Sequence, residues 1–449
     1  MENNKKWDVV VIGGGVSGCM AAFAAAKQGA NVVIVERYGF LGGALTNSGV
    51  GPMMTFHAGK RQVVTGIPQE LVDRLCEKGA SVGHIEDTTG YASSVTPFDA
   101  EMLKLVLDEM AADYNVDVLF HAALSNVKKE NGIISSVTVI TKSGALEING
   151  KVFIDATGDA ALSFEAGAEV HIGRDADGLC QPMTANMKVA NVNIEELKDE
   201  IRNNPDNFNV GDLSSLDRSP KLSVAGFLRE FNRAKQKGDI STERENVLLF
   251  ETVNPGEVIL NTTRVIKLNP VDAWDLSKAE VEGRRQAHEL MSFLRSSCKG
   301  FKDAILISTG VQIGVRESRR VVGDYVLSAD DLLRSVKFPD SIALGGYPID
   351  IHNPTGAQTA TTHLKPGQFY YIPLRSVIVK GFENLLVCGR CTSATHEASA
   401  AIRVTPIAMS IGQAAGTAAG ICSRDGIAPR ELDYNKLAEA LKEIKATFD

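Results

Sequence analysis

The first apolar run of the chain, Val9–Ile12 behind Trp7, is short and mostly β-branched, which predicts a buried parallel strand. Small apolar residues from Cys19 to Ala26 predict a helix packed close on a sheet, and Val32–Val35 a second strand. Leu71, Val72 and Leu75 put one apolar face on a helix over 68–78. Met102, Leu103, Val106, Leu107 and Met110 do the same over 99–114, with Asp99 at the favourable end of the dipole. Between these helices, 80–96 reads as exposed loop. A short strand at 116–122 precedes a hairpin with strands near 133–140 and 146–154 around Lys142-Ser-Gly144.

From about residue 170 the pattern changes. Alternation around Met183–Val189 predicts a strand, 193–222 loop and short helix, 224–237 a helix, and 247–250 and 258–260 strands. One long helix spans 275–298, broken only at Gly283, and strands resume near Ile305. Tyr347–His352 reads as a strand running into a turn at Gly356. Phe369–Arg375 and Leu385–Cys388 read as strands returning to the first sheet. A helix of small residues follows over 407–421, with Pro406 suited to its first turn. An amphipathic helix closes the chain from Ala428.

Three glycine-bearing junctions carry the candidate chemistry. Gly13, Gly15 and Gly18 stand as G-x-G-x-x-G between the first strand and its helix. The first allows a tight turn, the second lets a pyrophosphate approach, and the third lets helix and strand touch. Val16 and Ser17 open the helix, whose N-terminus offers free N–H groups to phosphates. Glu36 ends the second strand at the right distance to hold a ribose hydroxyl. Beyond it, Arg37 and the loop Gly42-Gly43-Ala44-Leu-Thr46 can lie close against a flat ligand. At the third junction an apolar strand ends in Ala156-Thr157-Gly158-Asp159, where Gly158 permits close approach and Asp159 can accept from hydroxyls.

These stretches resemble the flavoprotein superfamily that binds FAD through a two-dinucleotide-binding fold (the fumarate reductase and glutathione reductase type). Within it they resemble the FAD-dependent oxidoreductase branch. The resemblance implies FAD as cofactor, with Glu36 and Arg37 on the adenosine side and Gly42, Gly43, Ala44 and Thr46 beside flavin and pyrophosphate. It implies backbone contact of Ala123 and Leu124 with adenine, and a place for Gly389 and Arg390 near the ribityl chain. It further implies that the last helix, entered through Arg403, Pro406 and Ile407, points its N-terminus at the pyrimidine edge of the flavin. The fold class that follows is α/β: a Rossmann-like FAD-binding domain of parallel sheet, helices and β-meander, with an inserted α+β substrate domain. The expected division is 1–170 and 375–449 for the FAD-binding domain and 171–374 for the insertion. Relatives often carry two glycines where this chain has Thr65-Gly66.

Composition narrows the function. The 449 residues carry a net charge of −8 without a basic patch, which argues against nucleic acid. Seven scattered cysteines, no leader and no 18-residue apolar run lead us to expect a soluble cytoplasmic protein that does not engage a membrane. No metal ligand set is visible, and Cys388-Gly-Arg-Cys391 is read as packing rather than as a redox dithiol. Proton handling falls to His396 and Arg403 on the segment expected to cross the flavin, with His57 on the substrate side. The bland alternatives are His57 hydrogen-bonded to loop backbone, His396 braced by Glu397, and Arg403 bound to carbonyls. Arg316, Arg319 and Arg320 either bind a substrate carboxylate or form an inter-domain salt-bridge cluster with Glu317 and Asp324, the latter preferred.

The expected activity is FAD-dependent hydride transfer between flavin N5 and a small polar metabolite. The alternatives are a flavoprotein monooxygenase and an electron-carrying flavoprotein subunit without its own substrate. The partner expected is a small-molecule substrate; an electron-transfer partner and an oligomer are both compatible with the sequence.

Overall fold

The computed structural model describes residues 6–449. Lys6–Ile12 lies parallel to Val32–Val35 on one side and to Gly144–Asp155 on the other. Asp117–Leu119 extends the parallel layer beyond Val32–Val35, and Leu385–Val387 beyond Gly144–Asp155. Val9–Ile12 and Val32–Val35 are buried throughout, as strands covered on both faces must be. The long strand Gly144–Asp155 also pairs antiparallel with Ile133–Thr141, which pairs with Ala123–Glu130. This is the expected meander, and it completes a seven-stranded sheet.

Helix Val16–Lys27 covers one face and is itself covered by the last long helix, Thr405–Asp425. The two backbones touch. A Cβ on Gly412 would fall 2.2 Å from the Ser17 carbonyl oxygen, and one on Gly416 1.9 Å from that of Ala21. Ser17 Oγ donates to the Ala408 carbonyl at 2.7 Å across the same contact. Helix Ala100–Asp113 begins at Asp99, whose side chain accepts from the N–H groups of Glu101 and Met102.

A second sheet of six strands, all antiparallel, runs in the order Phe208–Asn209, Ser223–Gly226, Val247–Glu251, Val258–Leu260, Met187–Ala190, Ile305–Thr309. Its own core joins Val189, Leu249 and Leu260 to Leu290, Phe293 and Leu294 of helix Ala273–Ser297. Residues such as Val321, Leu344, Tyr370 and Val379 belong instead to the larger core around the first sheet.

Four local expectations change. Phe369–Arg375 does not return to the first sheet: Tyr370–Pro373 pairs with Ser341–Gly345 in a separate two-stranded sheet. The long helix is not broken at Gly283, which instead lies against Ala185, where a Cβ would come within 2.9 Å. Residues 224–226 form a strand, and the helix starts only at Leu228. The 80–96 stretch is irregular, but Asp87, Thr88 and Thr96 are buried, and Thr88 Oγ1 donates to the Ser223 carbonyl of the second sheet.

Candidate cofactor and substrate site

The first strand runs into a turn that only glycine can make. Gly13 has φ +106°, and a Cβ there would lie 2.5 Å from the Ala156 carbonyl oxygen. A Cβ on Gly18 would lie 2.0 Å from the Gly13 carbonyl oxygen, so this position sets the closeness of helix to strand. Gly15 differs: a Cβ there would meet only the Gly43 Cα, at 3.8 Å, because the residue faces open space. Helix Val16–Lys27 starts at Gly15 with no side chain capping it, which leaves its first N–H groups and positive dipole end free for an anion. Glu36, 6% exposed, ties the turn together: its carboxylate accepts from the Gly14 N–H at 2.6 Å and the Tyr38 N–H at 2.9 Å.

One cavity of about 740 Å³ starts at this turn and ends beneath the six-stranded sheet. Of the residues named from sequence, Gly13, Gly15, Val16, Ser17, Glu36, Arg37, Gly43, Ala44, Ala123 and Leu124 line it. So do Ala156, Thr157, Gly158, Asp159, Gly389, Arg390 and Arg403. Asp159 and Arg390 are paired, with Nη2 to Oδ1 at 2.7 Å, and Ser318 Oγ also donates to that oxygen. Arg37 donates to Gln312 Oε1 at 2.7 Å.

Five others stand behind the wall. Gly18 is inside the helix–strand contact. Gly42 donates its N–H to the Gly14 carbonyl, and Thr46 Oγ1 donates to the Leu41 carbonyl, so both shape the loop from within. Pro406 and Ile407 are buried in the last helix, and Val404, Thr405 and Ala408 face the cavity instead.

Two candidate proton-handling residues also fail to reach the cavity. His57 Nδ1 lies 3.0 Å from Ser94 Oγ, a side chain rather than loop backbone. His396 is 5% exposed, and its Nδ1 lies 2.8 Å from Glu317 Oε1, so its brace is Glu317 and not the neighbouring Glu397. Glu317 also pairs with Arg320 and accepts from the Gln181 N–H at 2.9 Å. The arginine cluster therefore divides. Arg320 is a buried ion-pair partner, Arg319 stacks on Phe164, and Asp324 pairs with Arg430 instead. Arg316 lines the cavity and donates to the Pro182 carbonyl, Thr184 Oγ1 and Asn261 Oδ1.

The far end of the cavity holds Asp350 and His352, which sequence reading missed, beside Arg403, which it named. Asp350 and His352 lie on the strand Ile349–His352, two positions apart and therefore on one face. His352 Nε2 lies 3.1 Å from Asp350 Oδ2, while Arg264 Nη2 donates to His352 Nδ1 at 2.7 Å. Arg264 thus fixes the tautomer in which Nε2 carries the proton. Burial, opposed by Asp350 and reinforced by Arg316, pushes the His352 ring down to about 3, so it is neutral. Burial would raise the Asp350 carboxyl, but His352, Arg403 and the Tyr91 hydroxyl outweigh it and hold it below its ordinary range. Arg403 Nη2 stands 3.9 Å from Asp350, and Tyr347 donates to it at 3.4 Å. The i, i+2 spacing of Asp350 and His352 was visible in the sequence; their meeting with Tyr91, Arg264 and Arg403 was not.

Cys388 and Cys391 are both buried, and Cys391 Sγ is satisfied by the Cys388 carbonyl. Among the described residues no cluster of His, Cys, Asp and Glu could hold a metal ion. Among the described residues no helix is long and apolar enough to cross a membrane.

Comparison with known proteins gives this geometry its context. The chain is 31% identical over 171 residues to thiamine thiazole synthase of Methanococcus aeolicus, a match covering 36% of this chain and 59% of that protein. The match therefore spans less than two thirds of that relative. Among solved structures, a triple mutant of the flavin-dependent brominase Bmp2 superposes with a TM-score of 0.51 at 12% identity, over 97% of this chain and 84% of that one. The p-nitrophenol 4-monooxygenase PnpA of Pseudomonas putida DLL-E4 does so with 0.50 at 11% identity, over 99% and 88%. At such identities the likeness is one of fold. A family model described as FAD dependent oxidoreductase matches residues 8–441, nearly all of the chain. The chain therefore belongs to the FAD dependent oxidoreductase family.

Proposed function

We propose that the protein transfers a hydride between the N5 atom of FAD and a small polar metabolite held beneath the six-stranded sheet. The observation that carries this reading is the continuity of the cavity: one space joins the Gly13–Gly15 turn to Asp350 and Arg403. Its size suits a ligand site that encloses most of what it binds.

FAD supplies the two-electron chemistry when bound; binding, orientation and exclusion of water fall to the chain. The open face of Gly15 and the uncapped helix N-terminus would receive the pyrophosphate. The Glu36 carboxylate, already accepting two backbone N–H groups, has lone pairs left for ribose hydroxyls. Ala123 and Leu124 would border the adenine, and the Asp159–Arg390 pair the ribityl chain. Val404 and Thr405, at the N-terminus of the last helix, would bring its positive end to the flavin's pyrimidine edge.

The metabolite would lie between the flavin and the Asp350 group. A carboxylate held so firmly ionised is a weak base. Asp350 would therefore align a substrate O–H or N–H, with His352, Tyr347 and Arg403 fixing its own position.

The test is anaerobic mixing of the FAD-loaded protein with a panel of hydroxy acids, enoates, polyols and amines, following the flavin absorbance. Bleaching by at least one of them, slowed about 10²-fold or more in Asp350→Asn with FAD retained, is the expected result. Bleaching only by a reduced partner protein would make the chain an electron carrier and refute the reading.

A further inference from the structure

The far end of the cavity gathers guanidiniums. Arg244, Arg316 and Arg403 all line it. Arg264, fully buried, does not line it but donates to His352, which does. Arg403 has Asp350 within 3.9 Å. Among the described residues, neither Arg244 nor Arg316 has a carboxylate within ion-pair distance. Arg244 is 8% exposed and donates to the Asn261 carbonyl at 3.1 Å, while Arg316 is held by a carbonyl, a hydroxyl and an amide oxygen. Three further acids lie nearby. Glu243 is paired with Lys235; Glu245 borders the cavity but is exposed; and Asp87, buried in the wall, accepts from Thr89 Oγ1 and the Ala92 N–H.

Buried guanidiniums are costly unless a charge compensates them. Burial, and then the charges of Arg403, Arg244 and Arg264, disfavour the charged form of Arg316, yet a guanidinium does not give up its proton. Arg403 Nε and Gln181 Nε2 are buried donors with no partner in the protein. Gln181 Oε1 accepts from Arg403 Nη2 at 3.4 Å and stands behind the cavity wall. A cavity lined by two guanidiniums without an ion-pair partner is completed by a ligand that brings acceptors and negative charge. The ligand must also carry a donor for Asp350. The planar forks of Arg244 and Arg316 match a carboxylate, which accepts two parallel N–H bonds.

We propose that the substrate is a carboxylic acid, its carboxylate bound between Arg244 and Arg316 and a hydroxyl or amino group turned to Asp350. This rests on the reading of the cavity as the site of hydride transfer and narrows the polar metabolite to an anionic one. Arg316 thereby gains a binding role that its neighbours Arg319 and Arg320 do not share.

The test uses the FAD-loaded protein and needs no turnover. Benzoate is titrated against benzamide and succinate against succinamide, with inorganic phosphate as a separate arm, following perturbation of the flavin absorbance and the thermal midpoint. The carboxylates should perturb both and the amides neither, and phosphate should bind at least tenfold more weakly than succinate. Arg244→Gln and Arg316→Gln should each weaken carboxylate binding about 30-fold or more, with partial recovery in the lysine variants. FAD content should be unchanged.

Equal response to acid and amide, a preference for phosphate, or loss of FAD in place of the carboxylate response would each overturn the proposal. The wild-type comparison stands even if a variant fails to fold. Carboxylates that bind but exchange no hydride would sink the function proposed above while sustaining this inference. A neutral polyol that bleaches the flavin, with carboxylates inert, would do the reverse.

Discussion

The ring of His396 and the carboxylate of Glu317 meet at 2.8 Å across 79 residues of chain, and neither borders the cavity. Glu317 is the hub of a buried group, paired to Arg320 and accepting the Gln181 N–H. His396→Asn should therefore act on stability rather than chemistry. We expect about 1–3 kcal/mol of destabilisation by denaturant titration. The rate of flavin reduction per bound FAD should stay within about threefold of wild type. A fall of 10²-fold in that rate at full FAD occupancy would return His396 to a chemical role.

The two glycines that face each other across the phosphate turn should respond differently to a methyl group. Gly43 has φ +55° and ψ −129°, and its Cβ would fall 2.7 Å from the Gly15 Cα. Gly43→Ala should lose about 1–3 kcal/mol in the apoprotein as well as its FAD. Gly15 has φ −64° and ψ 165°, which alanine adopts freely. Gly15→Ala should leave apoprotein stability within about 1 kcal/mol of wild type but weaken FAD binding at least tenfold. Apoprotein melting and FAD fluorescence titration separate the two; equal FAD affinity in Gly15→Ala and wild type would contradict the placement of the pyrophosphate.

Much of this cofactor end was legible in the sequence because each piece is local. A strand, a turn and a helix within twenty residues reveal Gly13, Gly15 and Gly18, and Ala156–Asp159 is one strand end. Of the proposed substrate end the sequence offered Arg316 and Arg403 singly but not Tyr91, Arg244 or Asp350, because the five come from separate stretches and meet only in three dimensions. His396 was misplaced for the same reason. Strand Leu385–Val387 does join the first sheet, but the tight turn Gly389–Cys391 and the short helix His396–Ile402 direct the ring inward. Sequence offered Glu397 as its partner, whereas the fold supplies Glu317.

Acid should destabilise the fold in a defined window. Burial pushes His84 down to about 4, reinforced by His57, and pushes His352 down to about 3 against the pull of Asp350. Both are neutral when folded, whereas an unfolded histidine takes up a proton near its ordinary value of 6.5. The unfolded chain therefore binds more protons below pH 6.5. Stability is full above that pH and falls as pH drops toward 4 and then 3. The Asp350 carboxyl, held low, adds loss in the same direction below its ordinary 3.8. The loss by pH 4 should be on the order of a few kcal/mol, read as a falling thermal midpoint. His84→Gln should flatten the slope; an unaltered slope would remove His84 from the account.

Thiol chemistry should single out one residue of seven. Cys76 is exposed and the other six cysteines are buried. Burial pushes the Cys388 thiol up to about 12 and raises Cys391 as well, so neither is a nucleophile at neutral pH. Titration of the native protein with a disulfide reagent should release about one equivalent, and seven after denaturation. Rapid reaction of a second thiol, abolished by Cys391→Ser, would instead make Cys388 and Cys391 a working dithiol.

The backbone contact between helices Val16–Lys27 and Thr405–Asp425 has a consequence for biogenesis. The first helix is apolar nearly all round, and one of its walls is made of residues synthesised almost four hundred positions later. Until that wall emerges from the ribosome, Cys19 to Ala25 have no complete shelter, and the nucleotide turn beside them has no finished far side. The growing chain must therefore keep a greasy segment from aggregating through most of its synthesis. Cofactor capture becomes a late event, gated by the arrival of Gly412 and Gly416 against a helix that was made first.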